Sequence, residues 1–402
     1  MIIAARTSIR RASRPVGVAA RGSSSVKITG VETIILRQPD VDDAIADGSQ
    51  DDLIVRIHTD EGIVGIGEVD SAPEIVKAAI DAPNSHANAI GLRHMLLGAD
   101  PLDNEGLWAR MYRGSVYYGR RGVGIHAMSG VDLALWDIKG KAAGKPVSEL
   151  LGTPIHTKIR AYASMLMPDT EDEVLAKCAG LAEMGFTAIK LGWGPLGQDE
   201  RHDVRLVKAA RQAVGDKVDV LIDAGLGYGA DAKRAIWVAR ELEQLGVYWL
   251  EEPFEPDELE AYAELSDTVD LRIAAGEHDA TSWGFRELID GGHLDVVQPD
   301  MTRCGGLTDA LKIAKIAEQK GKVCMPHAWK SGIVKAASLH LNAVLPGERL
   351  QEYCVAGTPI NEALTIQRHP LKDGYVDVPT APGLGVDLDP EIVARFTVSS
   401  SR

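Results

Sequence analysis

The second half of the chain alternates between short apolar runs and longer segments of helical pattern, and this alternation limits the fold more than any other feature. From about residue 155, eight runs have the β-branched and aromatic content of strands: IRAYASM, TAIKLGW, VDVLIDAG, VYWLEEP, RIAAGEH, LDVVQPD, VCMPHAW and LQEYC. Between the third and fourth runs, Ala235, Ala239 and Leu242 recur at helical spacing. Strands that alternate with helices form a parallel sheet, and eight such units predict a (β/α)8-type barrel whose last units are less regular.

The region before the barrel has a different texture and predicts a separate α+β domain over residues 27–150. VKITGVETIIL is strand-like, and LIVRIHTDEGIVGIGEV is predicted to form a hairpin that turns at Asp60-Glu61-Gly62. The segment from residue 72 onwards has a helical pattern. The barrel is predicted over 151–355, and the Pro- and Gly-rich segment 356–402 is predicted to return to the first domain.

The first 26 residues carry five arginines, several serines and no acidic residue. This composition is typical of a mitochondrial targeting segment, and it also fits a disordered extension or a misassigned start codon. The four cysteines are widely spaced and form no CxxC pair, which predicts reduced thiols in an intracellular protein. We therefore expect a cytoplasmic protein, or a protein of the mitochondrial matrix if the extension over 1–26 is a targeting segment.

The charge of the chain limits its partners. With 402 residues and a formal net charge of −15, the surface repels polyanions, so we expect no nucleic-acid or anionic membrane partner. No apolar run in the sequence approaches the ~18 residues that a membrane span needs. An anionic small molecule would need a local positive centre, such as a lysine or a metal ion.

An ionisable residue stands near the C-terminal end of most strand-like runs, and successive ones are 23 to 33 residues apart. That spacing is close to one strand–helix unit, and the C-terminal ends of barrel strands meet at one mouth, where barrel active sites lie. Each residue alone is as consistent with a structural role as with a functional one, but all of them together predict an active site. The residues are Lys190, Asp223, Glu251, Glu277, Asp300, His327 and Glu352.

Three consecutive strands end on carboxylates, at Asp223, Glu251 and Glu277. Three carboxylates in one place repel one another unless a cation lies between them. Oxygen ligands without histidine or cysteine favour a hard ion such as Mg²⁺. The alternation of side chains along a strand points the neighbouring Glu252 away from the mouth.

The next two strands supply Asp300 and His327. A carboxylate beside an imidazole orients the ring and raises its basicity, so His327 is predicted to transfer a proton while Asp300 holds it. A buried Asp–His pair without chemical function is the alternative interpretation.

Several segments together carry a family resemblance: GVDLALWDIKGKAAGKPVSELLG, WLEEP, AAGE, QPDMTRCGGLTDALKIA and PHAW, in this order. In residues 30–390 the chain resembles the mandelate racemase subgroup of the enolase superfamily. The resemblance implies an α+β capping domain over a modified (β/α)7β TIM-type barrel, and a homo-oligomer. It also implies that Asp223, Glu251 and Glu277 bind Mg²⁺, that Asp300 and His327 form the Asp–His dyad, and that Glu352 hydrogen-bonds the substrate carboxylate.

The chain departs from that subgroup at the second barrel strand. The mandelate racemase pattern has Lys-x-Lys there, whereas this chain has Lys190-Leu191-Gly192. A racemase needs a base on each face of the reacting carbon, so Gly192 argues against two-base chemistry. Lys190 is left with two possible roles: a second acid or base, or a charge that neutralises the carboxylates and contacts substrate oxygen.

The resemblance and the single clear base imply a Mg²⁺-dependent dehydratase of a sugar acid, an aldonate or aldarate, that yields a 2-keto-3-deoxy sugar acid through an enediolate. Three alternatives remain: a cycloisomerase of a sugar-acid lactone or anhydro-sugar acid, a Schiff-base aldolase that uses Lys190, and a non-catalytic sugar-acid binder. The pocket is predicted to be lined by Trp193, Trp329, Lys330, Tyr117, Tyr118 and the 38–52 loop.

Overall fold

An antiparallel sheet begins the part of the chain that the computed structural model describes, residues 26–402. The extension predicted over 1–26 lies outside the described residues except for its last residue. The predicted hairpin is present, with Leu53 opposite Val69 and a turn at Gly62, where φ is +77°. The strands are β1 (Ile28–Arg37), β2 (Asp51–Thr59) and β3 (Val64–Val69), and a short 3-10 helix, Gly48–Gln50, precedes β2.

Helices cover one face of this sheet, and the longest packs closely on β3. A Cβ at Gly67 would lie 2.0 Å from the carbonyl oxygen of Gly130, so glycine permits the backbone contact. The same helix bonds the barrel, because Trp136 donates its indole N–H to Thr308 at 2.9 Å. The helices are α1 (Pro73–Asp81), α2 (Leu92–Leu96), α3 (Asn104–Gly114), α4 (Val123–Ala143) and α5 (Val147–Leu151).

Eight parallel strands form the curled sheet of the second half. From the fourth strand of the protein to the tenth, each strand pairs with the next one along the chain. The eleventh strand pairs with the fourth, and within the described residues no ladder joins the tenth to the eleventh. The strands are β4 (Lys158–Leu166), β5 (Ala188–Gly192), β6 (Asp219–Asp223), β7 (Val247–Glu251), β8 (Ile273–Ala275), β9 (Val296–Val297), β10 (Val323–Cys324) and β11 (Leu350–Cys354).

Seven helices follow the first seven of these strands, so the predicted TIM-type barrel beneath an α+β cap is confirmed. Within residues 26–402, none of the helices combines the length and apolar character that crossing a bilayer requires. The barrel helices are α6 (Glu171–Glu183), α7 (Glu200–Val214), α8 (Ala232–Gln244), α9 (Leu259–Thr268), α10 (Thr281–Gly292), α11 (Gly306–Gln319) and α12 (Gly332–Val344).

The last segment contacts both parts of the molecule. It contains α13 (Pro359–Ala363), β12 (Tyr375–Asp377), α14 (Pro390–Phe396) and β13 (Thr397–Ser401). β12 pairs antiparallel with β4 of the barrel, whereas β13 pairs antiparallel with β1 of the cap. The boundaries predicted at 150/151 and 355/356 stay predictions.

An apolar layer fills the barrel interior below its mouth. Seven of the eight barrel strands contribute one buried side chain each, and the eighth comes from Met325, directly after β10. Trp249 and Tyr162 are the largest of these side chains. This layer is a floor on which the polar residues of the mouth rest. Its members are Tyr162, Ala188, Leu221, Trp249, Ala274, Val296, Met325 and Leu350.

Candidate active site

The strand period places the ionisable residues directly above the floor. Side chains two residues apart on a strand share a face. Ala188 is therefore followed by Lys190, Leu221 by Asp223, Trp249 by Glu251 and Leu350 by Glu352. The indole of Trp249 also donates to Glu251 Oε2 at 2.9 Å, which ties the floor to the mouth.

Asp223, Glu251 and Glu277 are buried and bring one oxygen each within 4.8 Å of one another. Burial and the Glu251 carboxylate raise the pKa of Asp223 well above its usual value, and burial likewise raises the pKa of Glu251. The Oε2 atom of Glu277 is buried and accepts no well-aligned hydrogen bond from the described residues, although Nε2 of His327 lies 3.1 Å away. Three crowded oxygen donors, one of them without a well-aligned hydrogen-bond partner, fit a hard divalent cation.

Lys190 contacts three carboxylates from the floor side of the mouth. Its Nζ lies 2.5 Å from Glu251 Oε1, 3.0 Å from Glu352 Oε1 and 3.7 Å from Asp223 Oδ2. Burial alone would lower the pKa of Lys190, but these carboxylates raise it well above the usual value. Lys190 is therefore a cation here, and a Schiff base would require its neutral amine.

Gly192 lies opposite Asp223 in the parallel ladder of β5 and β6. A Cβ built at Gly192 would lie 2.6 Å from Asp223 Cβ and 2.9 Å from its Oδ2. With the strands as they lie in this structure, a larger side chain at position 192 would displace Asp223.

His327 and Asp300 are in contact at the next two strand ends. Nδ1 of His327 lies 2.6 Å from Asp300 Oδ2, so the ring donates that N–H and turns Nε2 toward Glu277 Oε2, 3.1 Å away. Burial alone would lower the pKa of His327, but Glu277, Glu352 and the bond to Asp300 raise it to about 10. Asp300 therefore orients the His327 ring, and the neighbouring carboxylates favour its protonated form.

Glu352 lies between the two candidate proton-transfer groups. Its Oε2 accepts the backbone N–H of Ala328 at 2.6 Å and lies 3.8 Å from Nε2 of His327. Its Oε1 faces Lys190 at 3.0 Å. Burial would raise the pKa of Glu352, but Lys190 and His327 lower it to about 2, so it is a carboxylate.

The cap contributes a carboxylate that the sequence reasoning missed. Asp70, directly after β3, accepts from Arg303 at 3.1 Å and lies 3.3 Å from the amine of Lys330. Arg303 in turn lies 3.5 Å from Asp300 and 3.8 Å from Glu277. Arg303 stands inside the quoted QPDMTRCGG segment, but spacing along the barrel gives no sign of a contact with the cap.

A cavity of about 190 Å³ lies at the mouth. Trp193 and Trp329 line it as predicted, and the 38–52 loop contributes Ala46 and Gly48. The prediction for Lys330 is wrong, because its amine bonds the carbonyl of Asp51 at 2.7 Å and the side chain does not line the cavity.

The prediction for Tyr117 and Tyr118 is also wrong. Tyr117 is 72% exposed and packs against His86, and Tyr118 donates to the carbonyl of Ile90 at 2.6 Å. Both rings lie on the cap away from the mouth cavity. Glu252 has φ +43° and accepts the N–H of Gly276 at 2.7 Å, so it supports the loop before Glu277.

Fold and site together define a capped barrel protein with a carboxylate trio and an Asp–His pair at its mouth. Residues 173–392 match the enolase C-terminal domain-like family, and residues 31–152 match the mandelate racemase/muconate lactonizing enzyme N-terminal domain. The chain therefore belongs to the enolase superfamily, in the mandelate racemase/muconate lactonizing enzyme group, as its sequence segments indicated.

Similar proteins span almost the whole chain. The D-galactarolactone cycloisomerase of Agrobacterium fabrum is 33% identical over 86% of this chain and 90% of its own length. The D-galactonate dehydratase of Pectobacterium atrosepticum is 33% identical over 85% of this chain and 90% of its own. The crystal structure of the 3,6-anhydro-D-galactonate cycloisomerase of Zobellia galactanivorans has a TM-score of 0.84 and 32% identity, covering 93% of this chain and 100% of that one.

Proposed function

We propose that this protein is a Mg²⁺-dependent dehydratase that converts an aldonate or aldarate into a 2-keto-3-deoxy sugar acid. One observation carries the proposal: His327, held by Asp300, and Lys190 flank the same carboxylate, Glu352, beside the carboxylate trio. A proton-transfer group and a cation on either side of one position suit removal of a proton next to a carboxylate.

Asp223, Glu251 and Glu277 are the residues that would hold Mg²⁺. Bound there, the ion would supply a positive centre for the substrate carboxylate and for the charge of the enediolate. Arg303 adds a fixed positive charge from the barrel, since its side chain is only 13% exposed and is paired with Asp70. The ion and Arg303 would together attract an anionic substrate to the mouth, although the chain as a whole has a formal net charge of −15.

His327 is the proposed proton-transfer residue. Because Asp300 holds its Nδ1 proton, Nε2 is the nitrogen that faces the mouth. A cation held by Glu277 would offset the carboxylate charge that contributes most to raising the pKa of His327, and the neutral ring would then take the proton from the carbon next to the carboxylate. The imidazolium then returns this proton to the β-hydroxyl, which leaves as water when the C–O bond breaks. The resulting enol tautomerises to the 2-keto acid.

Glu352 and Lys190 position the reacting group in this proposal. Lys190 remains charged because it contacts carboxylates within 3.7 Å, so it pairs with substrate oxygen. With Gly192 beside Asp223, no second base of the Lys-x-Lys kind is available, which disfavours racemisation.

A cycloisomerase is the second candidate. Two of the similar proteins are named cycloisomerases, one for a galactarolactone and one for an anhydro-galactonate. The same proton abstraction by His327 serves both reactions, and they differ in the bond that breaks at the neighbouring carbon. Dehydration expels water, whereas cycloisomerisation opens a ring.

The test is incubation of the purified protein and Mg²⁺ with a library of aldonic and aldaric acids, with 2-keto acid formation followed by semicarbazide. We expect turnover of one or a few acids and loss of that turnover with EDTA. His327→Asn should lower kcat by about 10²- to 10⁴-fold because general acid–base catalysis is removed. The matched control is His293→Asn, an exposed histidine with φ +56°, a conformation that asparagine tolerates.

Turnover of lactones or anhydro-sugar acids in place of the open acids would select the cycloisomerase. Exchange of the substrate α-proton with deuterium from solvent provides the readout for proton abstraction without product formation. If no acid, lactone or anhydro-sugar acid shows turnover or exchange, a sugar-acid binder without chemistry is the better description.

A further inference from the structure

A second and larger cavity, of about 900 Å³, lies outside the barrel wall. It is bounded by α6 on one side, the first turn of α12 on the other and β11 at its base. In a complete barrel a helix follows each strand, and the helix after the eighth strand would pack between its neighbours here. The helix directly after β11 is the five-residue α13, so the groove is incompletely filled.

A buried lysine faces this cavity. Lys335 is 8% exposed, and its Nζ lies 3.8 Å from the centre of the Tyr353 ring. Within residues 26–402, no carboxylate oxygen lies within ion-pair distance of this amine. Two acids line the same cavity, but Asp47 is bonded to Trp329, and Glu362 is exposed and lies beyond ion-pair distance.

The surroundings of Lys335 stabilise its charge incompletely. Burial lowers the pKa of Lys335 to about 8 and outweighs the opposite effects of Cys354, Glu362 and Glu68. Near neutral pH the amine is still mainly an ammonium. A buried charge is normally paired, because its desolvation costs several kcal/mol when it is not.

A second polar group on the cavity wall also lacks a partner. Nε2 of His369 is buried and forms no hydrogen bond with any described residue. Burial lowers the pKa of His369 to about 4, and the charge of Lys335 contributes to the same effect. A neutral imidazole nitrogen near a lysine complements a hydroxyl group.

We propose that the groove between α6 and α12 is a second ligand site for a small hydroxylated carboxylate, bound by Lys335 at its carboxylate and by His369 at a hydroxyl. Apolar walls from Leu181, Met184 and Val355 would cover the carbon chain. Trp329 and Met165 line both this groove and the mouth cavity, so the two sites share a wall. The site does not depend on the chemistry proposed for the mouth.

Calorimetric titration of the EDTA-treated protein tests this site, with D-gluconate, sulfate and sorbitol as probes. We expect D-gluconate to bind, sulfate to bind more weakly because it lacks the polyol chain, and sorbitol not to bind because it has no charge. Lys335→Met keeps the length of the side chain and removes the charge. It should weaken D-gluconate binding about 10- to 100-fold, the usual effect of losing a hydrogen bond to a charged group.

Lys177→Met is the matched control, because Lys177 lines the same cavity but is exposed, and it should change binding less than twofold. Reductive methylation of the parent protein, read by mass spectrometry, gives a second measurement that needs no variant. D-gluconate should protect Lys335, and sorbitol should not. Equal affinities in the parent and Lys335→Met, no binding by the parent, or no protection of Lys335 would each overturn the proposal.

Discussion

Gly192 illustrates how one missing side chain shapes the site. Its hydrogen leaves room for the carboxylate of Asp223, which a Cβ would approach to 2.6 Å. The two residues are ladder partners on adjacent parallel strands, so neither can move away without distorting the sheet. The glycine therefore sets the position of a candidate metal ligand and at the same time removes a possible base.

Gly192→Ala should displace Asp223 and weaken divalent cation binding at least tenfold, with kcat falling in parallel. The reason is a contact below 3 Å that only a shift of Asp223 can relieve. Calorimetric Mg²⁺ titration measures the effect. Gly180→Ala on α6 is the control, since a Cβ there meets nothing within 4 Å, and it should leave Mg²⁺ binding unchanged. Mg²⁺ affinity unchanged in Gly192→Ala would contradict this account.

The junction between cap and barrel depends on charges carried by short connections between elements. Lys330, between β10 and α12, bonds the carbonyl of Asp51 at 2.7 Å and lies 3.3 Å from Asp70. Burial alone would lower the pKa of Lys330, but Asp70, Asp52 and Asp51 raise it. One amine thus joins the barrel to two strands of the cap.

Lys330→Met should destabilise the protein by about 3–5 kcal/mol, because it removes a buried cation and leaves the partly buried Asp51 and Asp70 without their partner. Chemical denaturation gives the change in the free energy of unfolding. The control is Lys372→Met, which breaks an ion pair with Asp377 whose side chains are 63% and 61% exposed, and should cost at most about 1 kcal/mol. Equal losses in the two variants would mean that the junction does not depend on Lys330.

The helix α12 carries a histidine that makes stability depend on pH. His340 donates from Nε2 to the carbonyl of Leu384 at 3.1 Å and accepts at Nδ1 from the N–H of Ser148 at 3.2 Å. Both bonds require the neutral ring, and burial lowers its pKa to about 4. His126 and His369 have pKa values lowered to about 4 for the same reason.

Stability should therefore fall as the pH drops from about 6.5 toward 4, because the unfolded chain takes up protons that the folded protein does not. A histidine with this pKa shift contributes on the order of 3 kcal/mol over the full window. Denaturant unfolding at several pH values measures the slope. His340→Gln should be less stable at pH 7 and should show a smaller slope, and an unchanged slope would exclude His340 as a source.

The barrel elements were predictable from sequence, and their exact lengths were not. The strand-like runs and their spacing followed from local composition, so the fold and the gathering of Asp223, Glu251 and Glu277 could be expected. β9 and β10 have only two residues each, because Pro299 and Pro326 have no N–H to continue a ladder. The pairing of β12 with β4 could not be expected, since it joins distant segments and the tail is rich in Pro and Gly.

The contacts between cap and barrel were beyond sequence reasoning for a similar reason. A strand–helix repeat brings its own strand ends together, but it carries no information on what packs over them. Asp70, at the end of β3, therefore gave no local signal, and neither did its contact with Arg303. The residues missed at the site are those whose partners come from the other domain.

For the molecule as a whole, a cation at the mouth should stabilise the fold. Three buried carboxylates within 4.8 Å repel one another, and a divalent ion that binds only the folded state relieves this. At about 100 times its Kd, Mg²⁺ should add about 2.7 kcal/mol and raise Tm. Thermal unfolding in MgCl₂ and in NaCl of equal ionic strength measures the effect.

Glu251→Gln should abolish most of the Mg²⁺-dependent shift in Tm, because one of the three oxygen donors loses its charge. A shift of the same size in this variant would place the ion elsewhere on an acidic surface. The homo-oligomer implied by the family resemblance stays a prediction, which light scattering on the purified protein tests directly.

The pairing of β13 with β1 also affects the order in which a growing chain can fold. During synthesis, residues near 30 emerge from the ribosome before the barrel, and residues near 400 emerge after it, yet Ile34 and Ser400 are ladder partners. The sheet of the cap therefore lacks its edge strand β13 until all the barrel strands have been synthesised.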